Sequence, residues 1–298
     1  MTATDIVTIM GLSSYSSPWV LWHDKKGLLP PWEGNDRTAV GSALQPYVAA
    51  RWEQATGLRL EQSENLFRSH DRAWQMATPD GLVLPAADLA TWEAKTWDDQ
   101  DRAAWDSGPP PKVRAQVLWQ MDTLNVATGH VGVVFLPSGE FRSYVIEHDQ
   151  VRIASVDATI PASTHDPACR VCADQDVMRE RGVEFCQLLQ ADRPPPLDGS
   201  ATTLAGVKRL HAGVLAGQAE LDRSLWAGYE EARDSVRDAE RHLRLAESEL
   251  RQALGGAEVG TVGGAAVVRR QMVAVKEHFR KASVQDRLTR IKRGDAGE

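Results

Sequence analysis

"ATPDGLVLPAADLATWEAKTW", residues 77–97, decides the reading of this chain. "DGLVL" and "DLATWEAKT" are short apolar runs either side of the turn-forming "PAAD", a pattern that predicts a β-hairpin. Strand residues two apart share a face. Glu93 and Lys95 therefore project together while Ala94 turns into the core, and Asp80, on the first strand or its end, can sit across from Glu93. Two carboxylates a few ångströms apart repel unless positive charge lies between them. Mg²⁺ suits that place, because it is a hard cation that takes oxygen ligands and often only one or two protein carboxylates, with water and phosphate completing its shell. Such an ion acidifies a bound water and shields the charge that builds on a phosphodiester under attack. The lysine can then hold the water and phosphate in line, or help to deprotonate the water.

The neighbouring sequence supplies the rest of a layered domain. "GSALQPYVAARWEQATG" (41–57) has helical apolar spacing and a Gly57 stop. "LRLEQSENLF" leads into a strand. "PPKVRAQVLWQMDTLNVATG" (110–129) predicts a helix ending on Gly129, and "VGVVFL" with "FRSYVIE" around "PSGE" predicts a second hairpin. Helix, strands, helix, strands around one sheet is an α/β or α+β domain. Nine of ten tryptophans lie in the first 119 residues, so the bulky aromatic core is N-terminal. The Pro-rich "ADRPPPLDGSATT" (191–203) marks a boundary, which gives a domain over 1–200 and an extension over 201–298. In that extension, positions 225, 229, 232, 236, 239, 243, 246, 250 and 253 alternate large and small residues at four-three spacing, a coiled-coil-like seam. "LGGAEVGTVGGAAVV" (254–268) predicts a short hairpin, and a basic helix is expected over about 269–282.

With 298 residues, 42% hydrophobic and 25% charged, the chain has an ordinary globular composition. No run of about 18 apolar residues spans a membrane, and "MTATDIVTIMGLSSY" lacks the basic start of a secretory signal. Cytoplasm is the default expectation. The net charge of −7 argues against non-specific coating of nucleic acid, although residues 269–293 carry nine Lys and Arg against Glu277 and Asp286. Arg269, Arg270 and Lys276 head that stretch as candidate DNA-phosphate contacts, with a solvated helix face as the alternative. His165, Cys169, Cys172 and Cys186 include a Cys-x-x-Cys spacing. Without a second such pair, ordinary thiols near a loop are the preferred reading over a metal site.

Pro79-Asp80 with Glu93-x-Lys95 resembles the signature of the PD-(D/E)XK nuclease superfamily. "TATDIVTIMGLSSYSSPWVLWHDKKGL", "VGSALQPYVAARWEQATG", "HDRAWQMATPDGLV", "VRAQVLWQMDTLNVATG" and "FCQLLQADRPPPLDGS" resemble, in order, blocks of the YqaJ-type phage recombinase exonucleases, the family of the phage lambda exonuclease. The resemblance runs from about residue 3 to 200. It implies a PD-(D/E)XK core, a central mixed sheet flanked by helices, with a helical C-terminal extension. It implies Mg²⁺-dependent hydrolysis of DNA from duplex ends, with Mn²⁺ able to substitute, a ring-like homotrimer, and a single-strand annealing protein as partner. Residue by residue, Asp80 and Glu93 become metal ligands, with the backbone carbonyl of Ala94 as a third. Lys95 orients or activates the water, and Gln116 touches the water or the DNA; a solvent-facing place on the helix is the alternative for Gln116 and Gln120. The family's helical glutamate is Gln45 here, in "GSALQP", an amide that can coordinate a metal but brings no charge. An endonuclease on the same fold, or a DNA- or protein-binding module with weakened catalysis, is the alternative function.

Overall fold

The computed structural model describes residues 1–31, 34–84, 89–147, 169–213 and 217–270. Three helices open the chain: α1 (Ala3–Ile9), α2 (Pro18–Lys25) and α3 (Asp36–Thr56). Each start is fixed by a side-chain cap. Thr2 and Asp5 form a capping box on α1, Ser17 accepts from the Val20 amide before Pro18 of α2, and Asn35 caps α3. The Asn35 cap explains why α3 begins at Asp36 rather than near 41. Gly57, at φ 70°, ends it where expected.

Four strands follow: β1 (Arg59–Gln62), β2 (Phe67–Arg68), β3 (Met76–Ala77) and β4 (Gly81–Leu84). Then come β5 (Ala90–Asp98), a 3₁₀ turn over 99–105, α4 (Pro111–Leu124), β6 (Thr128–Leu136) and β7 (Phe141–Glu147). One five-stranded sheet has the order β1-β4-β5-β6-β7, and β2 pairs with β3 apart from it. Both expected hairpins are present: β4 pairs with β5, and β6 with β7, each antiparallel. The turn expected at residues 85–88 lies outside the described residues. β5 and β6 run parallel, joined through α4, so the sheet is mixed.

α4 departs from expectation at its end. It stops at Asn125 in the left-handed conformation, φ 54°, which asparagine tolerates better than most residues. Gly129 is instead a residue of β6. A Cβ there would come within 2.4 Å of Val117 Cγ1 and 2.9 Å of Met121 Sδ. Its glycine identity reflects the close approach of helix to sheet.

Each face of the sheet has its own core. Val48, Ala49 and Trp52 of α3 bury against Trp92 of β5 and Val134 of β6. On the other face, Val117, Leu118 and Met121 of α4 pack on Val131, Val133 and Phe135, with α1 and a helix α5 (Arg170–Gln190) completing the layer. Tryptophans 52, 92, 105 and 119 are among the largest fully buried side chains.

The first compact unit runs to Ala212, past the boundary expected at 200. Helix α6 (Ala201–Leu210) explains this, because it packs on α2. Thr203 Oγ1 donates to Ser17 Oγ at 2.6 Å, and Gly206 leaves room for Val20. The second unit, Gly213–Glu298, contains α7 (Arg223–Leu254) and a hairpin of β8 (Val259–Val262) and β9 (Ala265–Arg269). The expected seam lies within α7, and the Gly-rich hairpin is formed. Arg269 ends β9 rather than opening a helix; the rest of the expected basic helix, including Lys276, lies outside the described residues. No helix of the described residues is long and apolar enough to cross a membrane.

Candidate active site

The β4–β5 register pairs Gly81 with Trp92, and its continuation sets Asp80 opposite Glu93. The Ala94 amide donates to Asp80 Oδ2 at 2.8 Å, fixing the aspartate on the edge of β5. On its other side β4 lies close against β1, and Gly81 permits that approach, since a Cβ there would lie 2.8 Å from Leu60 Cδ1 and 3.0 Å from the Glu61 carbonyl. On β5, Trp92 and Ala94 face the α3 core, and Glu93 and Lys95 face α4.

From α4, every fourth residue comes down on that face. Gln120 Nε2 donates to Glu93 Oε2 at 2.6 Å, and Gln116 Nε2 donates to Glu93 Oε1 at 2.6 Å. Lys95 Nζ also contacts Glu93 Oε1. One turn further back, Lys112 Nζ lies 4.4 Å from the ring centre of Trp97, which shares the Glu93–Lys95 face, and 5.7 Å from that of Tyr15. Among the described residues Lys112 has no carboxylate within ion-pair reach, and Tyr15 is 74% exposed.

Glu93 is 3% exposed, and three donors hold its two oxygens. Asp80 is pushed up to about 7, first by burial and then by the Glu93 carboxylate, against the opposing pull of Lys95 and the Ala94 amide. A buried and a half-buried carboxylate thus face one ammonium, a cluster short of positive charge. The donor set is hard oxygen, and Mg²⁺ needs few protein carboxylates. Asp80, Glu93 and the Ala94 carbonyl fit such an ion. Among the described residues no group of three or more His, Cys, Asp or Glu side chains could hold a metal, so water and substrate would have to supply most of its shell.

Gln45, on α3, lines a cavity of about 350 Å³ with Gln62, Ser63 and Glu64. The cavity adjoins Asp80 through the Ser63 amide, which donates to the Asp80 carbonyl at 3.0 Å. Arg269 lies 3.6 Å from Glu258, and Arg270 donates to the Gly255 carbonyl at 2.8 Å, both within the β8–β9 hairpin region. Cys169 and Cys172 are buried at the start of α5, Cys186 is half-buried, and none forms a disulfide. His165 lies outside the described residues.

Gln120 and Lys112 join the site, although the sequence assigns Gln120 no role there and does not point to Lys112. Gln120 is fully buried rather than solvent-facing. The spacing 112–116–120 is the available signal, since residues four apart share a helix face.

Residues 1–130 match the family of the YqaJ-like viral recombinase domain, which agrees with the resemblance read from the sequence blocks. The uncharacterized protein YqaJ of Bacillus subtilis (strain 168) is 26% identical over 105 residues, covering 33% of this chain. The alignment likewise spans only 33% of that relative's length. Among solved structures, the alkaline exonuclease LHK-Exo of Laribacter hongkongensis is similar at a TM-score of 0.48 and 19% identity, over 64% of this chain and 88% of its own. A phage-related exonuclease from Haemophilus somnus 129PT gives 0.42 and 11%, over 58% and 79%.

Proposed function

We propose that this chain is a metal-dependent deoxyribonuclease, an exonuclease hydrolysing DNA from duplex ends in phage or prophage recombination. The observation that carries this reading is the buried Glu93 carboxylate, held by Lys95, Gln116 and Gln120, with Asp80 set opposite it across the strand pair. A buried charge kept with that many donors is seldom only structural at a site where a second carboxylate is also perturbed.

Asp80, Glu93 and the Ala94 carbonyl would hold Mg²⁺, with Mn²⁺ substituting. A bound ion would supply Lewis-acid stabilisation of the phosphate and an acidified water. Gln116 and Gln120 fix the Glu93 carboxylate in one orientation. Lys95, as an ammonium, holds the attacking water in line with the scissile phosphate, or in its neutral form helps to deprotonate that water. Gln116, half-buried at the rim, also reaches the water or the DNA. Lys112, with its ammonium over Trp97 and no carboxylate among the described residues to neutralise it, contacts a backbone phosphate of the bound strand. A ring-like homotrimer and an annealing-protein partner accompany this reading.

A second reading follows from Gln45, which adds no charge where the family has a glutamate. In that case the fold binds DNA or protein without turning it over. An endonuclease on the same core is the third. Digestion of end-labelled linear duplex beside a covalently closed circle, with Mg²⁺ and with EDTA, separates them. The exonuclease releases nucleotides from the linear form alone, and only with metal. Cleavage of the circle points to an endonuclease, and binding of either form without release points to the binding module.

A further inference from the structure

α7 is 32 residues long and has no buried residue, although it carries a continuous apolar seam. Leu225, Val236, Leu243 and Leu250 are 65%, 59%, 61% and 46% exposed. The outer charges largely satisfy one another along the helix, Arg237 with Asp234 and Arg241 with Asp238, each at 2.8 Å. Among the described residues the seam is what remains without a partner, and an amphipathic helix of this kind is stabilised by covering its apolar stripe.

The order of residues along the seam selects the cover. One heptad column holds the large residues Tyr229, Val236, Leu243 and Leu250, while the other, after Leu225, holds Ala232, Ala239, Ala246 and Ala253. Two such helices side by side in parallel would stack large on large and alanine on alanine, alternating crowded layers with holes. Side by side in antiparallel order, each column faces the other column of its partner. Most layers then contain one large residue and one alanine, at a single interhelical distance. Charge agrees. Arg233 shares its flank with Glu240 and Glu247, and only antiparallel pairing turns that flank onto itself, so that Arg233 of one copy meets a glutamate of the other. In parallel order the same flank faces Gly228, Ser235, His242 and Glu249, in which Arg233 meets Gly228 and finds no anion.

We infer that α7 is a self-pairing surface whose occupant is α7 of a second copy of this chain, bound antiparallel. The inference does not depend on the nuclease reading.

The test is a spin label on the full chain, carried by Gln252→Cys in a Cys186→Ser background, with the background alone as labelling control. The antiparallel pair predicts two labels about 30–45 Å apart, from the 1.5 Å rise per helical residue. It also predicts that Leu243→Asp removes this dipolar signal while the helical circular dichroism of the first unit persists. Labels closer than about 20 Å mean parallel pairing and overturn the inference. So does the absence of any dipolar signal, which leaves the seam covered from within the chain, and so does a signal that survives Leu243→Asp, which places the contact elsewhere.

Discussion

Gln120 donates to Glu93 Oε2 at 2.6 Å from a position with no solvent exposure. A glutamine is rarely buried completely, and this one is committed to a carboxylate that is itself almost fully enclosed. The helix and the strand are thereby tied at the point where the chemistry is placed, one turn beyond the rim residue Gln116.

Replacing Gln120 by leucine leaves Glu93 Oε2 without its donor in a site that water hardly reaches. A lost hydrogen bond to a buried charged group costs about 1.5–3 kcal/mol. Urea unfolding in EDTA should show a loss of that size for Gln120→Leu and a smaller one for Gln116→Leu, because Gln116 is only half-buried and water can replace its amide.

Asp80 supplies a pH test whose sign can be worked out. Its folded value, about 7, lies above the ordinary carboxylate value of 3.8. The folded state therefore binds the proton more tightly, and stability falls as pH rises through the window from about 4 to 7, levelling off above it. A tenfold difference in proton affinity between the folded and unfolded states is worth about 1.4 kcal/mol, so the total is a few kcal/mol. Asp80→Asn removes the penalty. Thermal unfolding without metal should show the variant gaining more over wild type at pH 8 than at pH 5, and equal gains would show that Asp80 is not strained as described.

Gly129 tests the close approach of α4 to the sheet. A methyl group there meets Val117 and Met121, and overpacking of this kind costs about 1–3 kcal/mol. Gly129→Ala should unfold at lower urea and, by lifting α4, weaken the Gln116 and Gln120 hold on Glu93. Unchanged stability would mean that the helix yields freely.

Lys112 tests the DNA path. If its ammonium meets one phosphate, Lys112→Ala weakens duplex binding at low salt and lowers the slope of log affinity against log salt by about 1. Tyr15→Ala with Lys112 intact should leave that slope unchanged.

The hairpin of β4 and β5 is legible in the sequence because strand alternation and turn chemistry are local properties. Asp80, Glu93 and Lys95 meet where that alternation puts them. The layer above is not legible in the same way. Gln120 looks like any polar helix residue until α4 is laid on β5, and only then does its four-residue step from Gln116 point at one carboxylate. The end of α4 is obscured for a related reason: Gly129 reads as a stop in isolation, and the packing against Val117 that demands glycine there joins residues distant in the chain. Asn125, the true cap, carries a weaker signal than glycine. The prolines near 200 suggest a boundary, while α6 beyond them is held to α2 by Thr203 and Ser17.

Lys95 and the two carboxylates are proposed to form a hydrolytic centre rather than a structural ion pair. Single-turnover hydrolysis of a linear duplex, at saturating protein and with Mg²⁺, tests this most directly when wild type and Lys95→Ala are compared at equal measured DNA binding. The hydrolytic centre predicts metal-dependent hydrolysis by wild type that falls at least about 100-fold in the variant, within the range for loss of a group acting on the attacking water. Equal hydrolysis by both proteins, or none by wild type with Mg²⁺ or Mn²⁺ at neutral and alkaline pH, would contradict it.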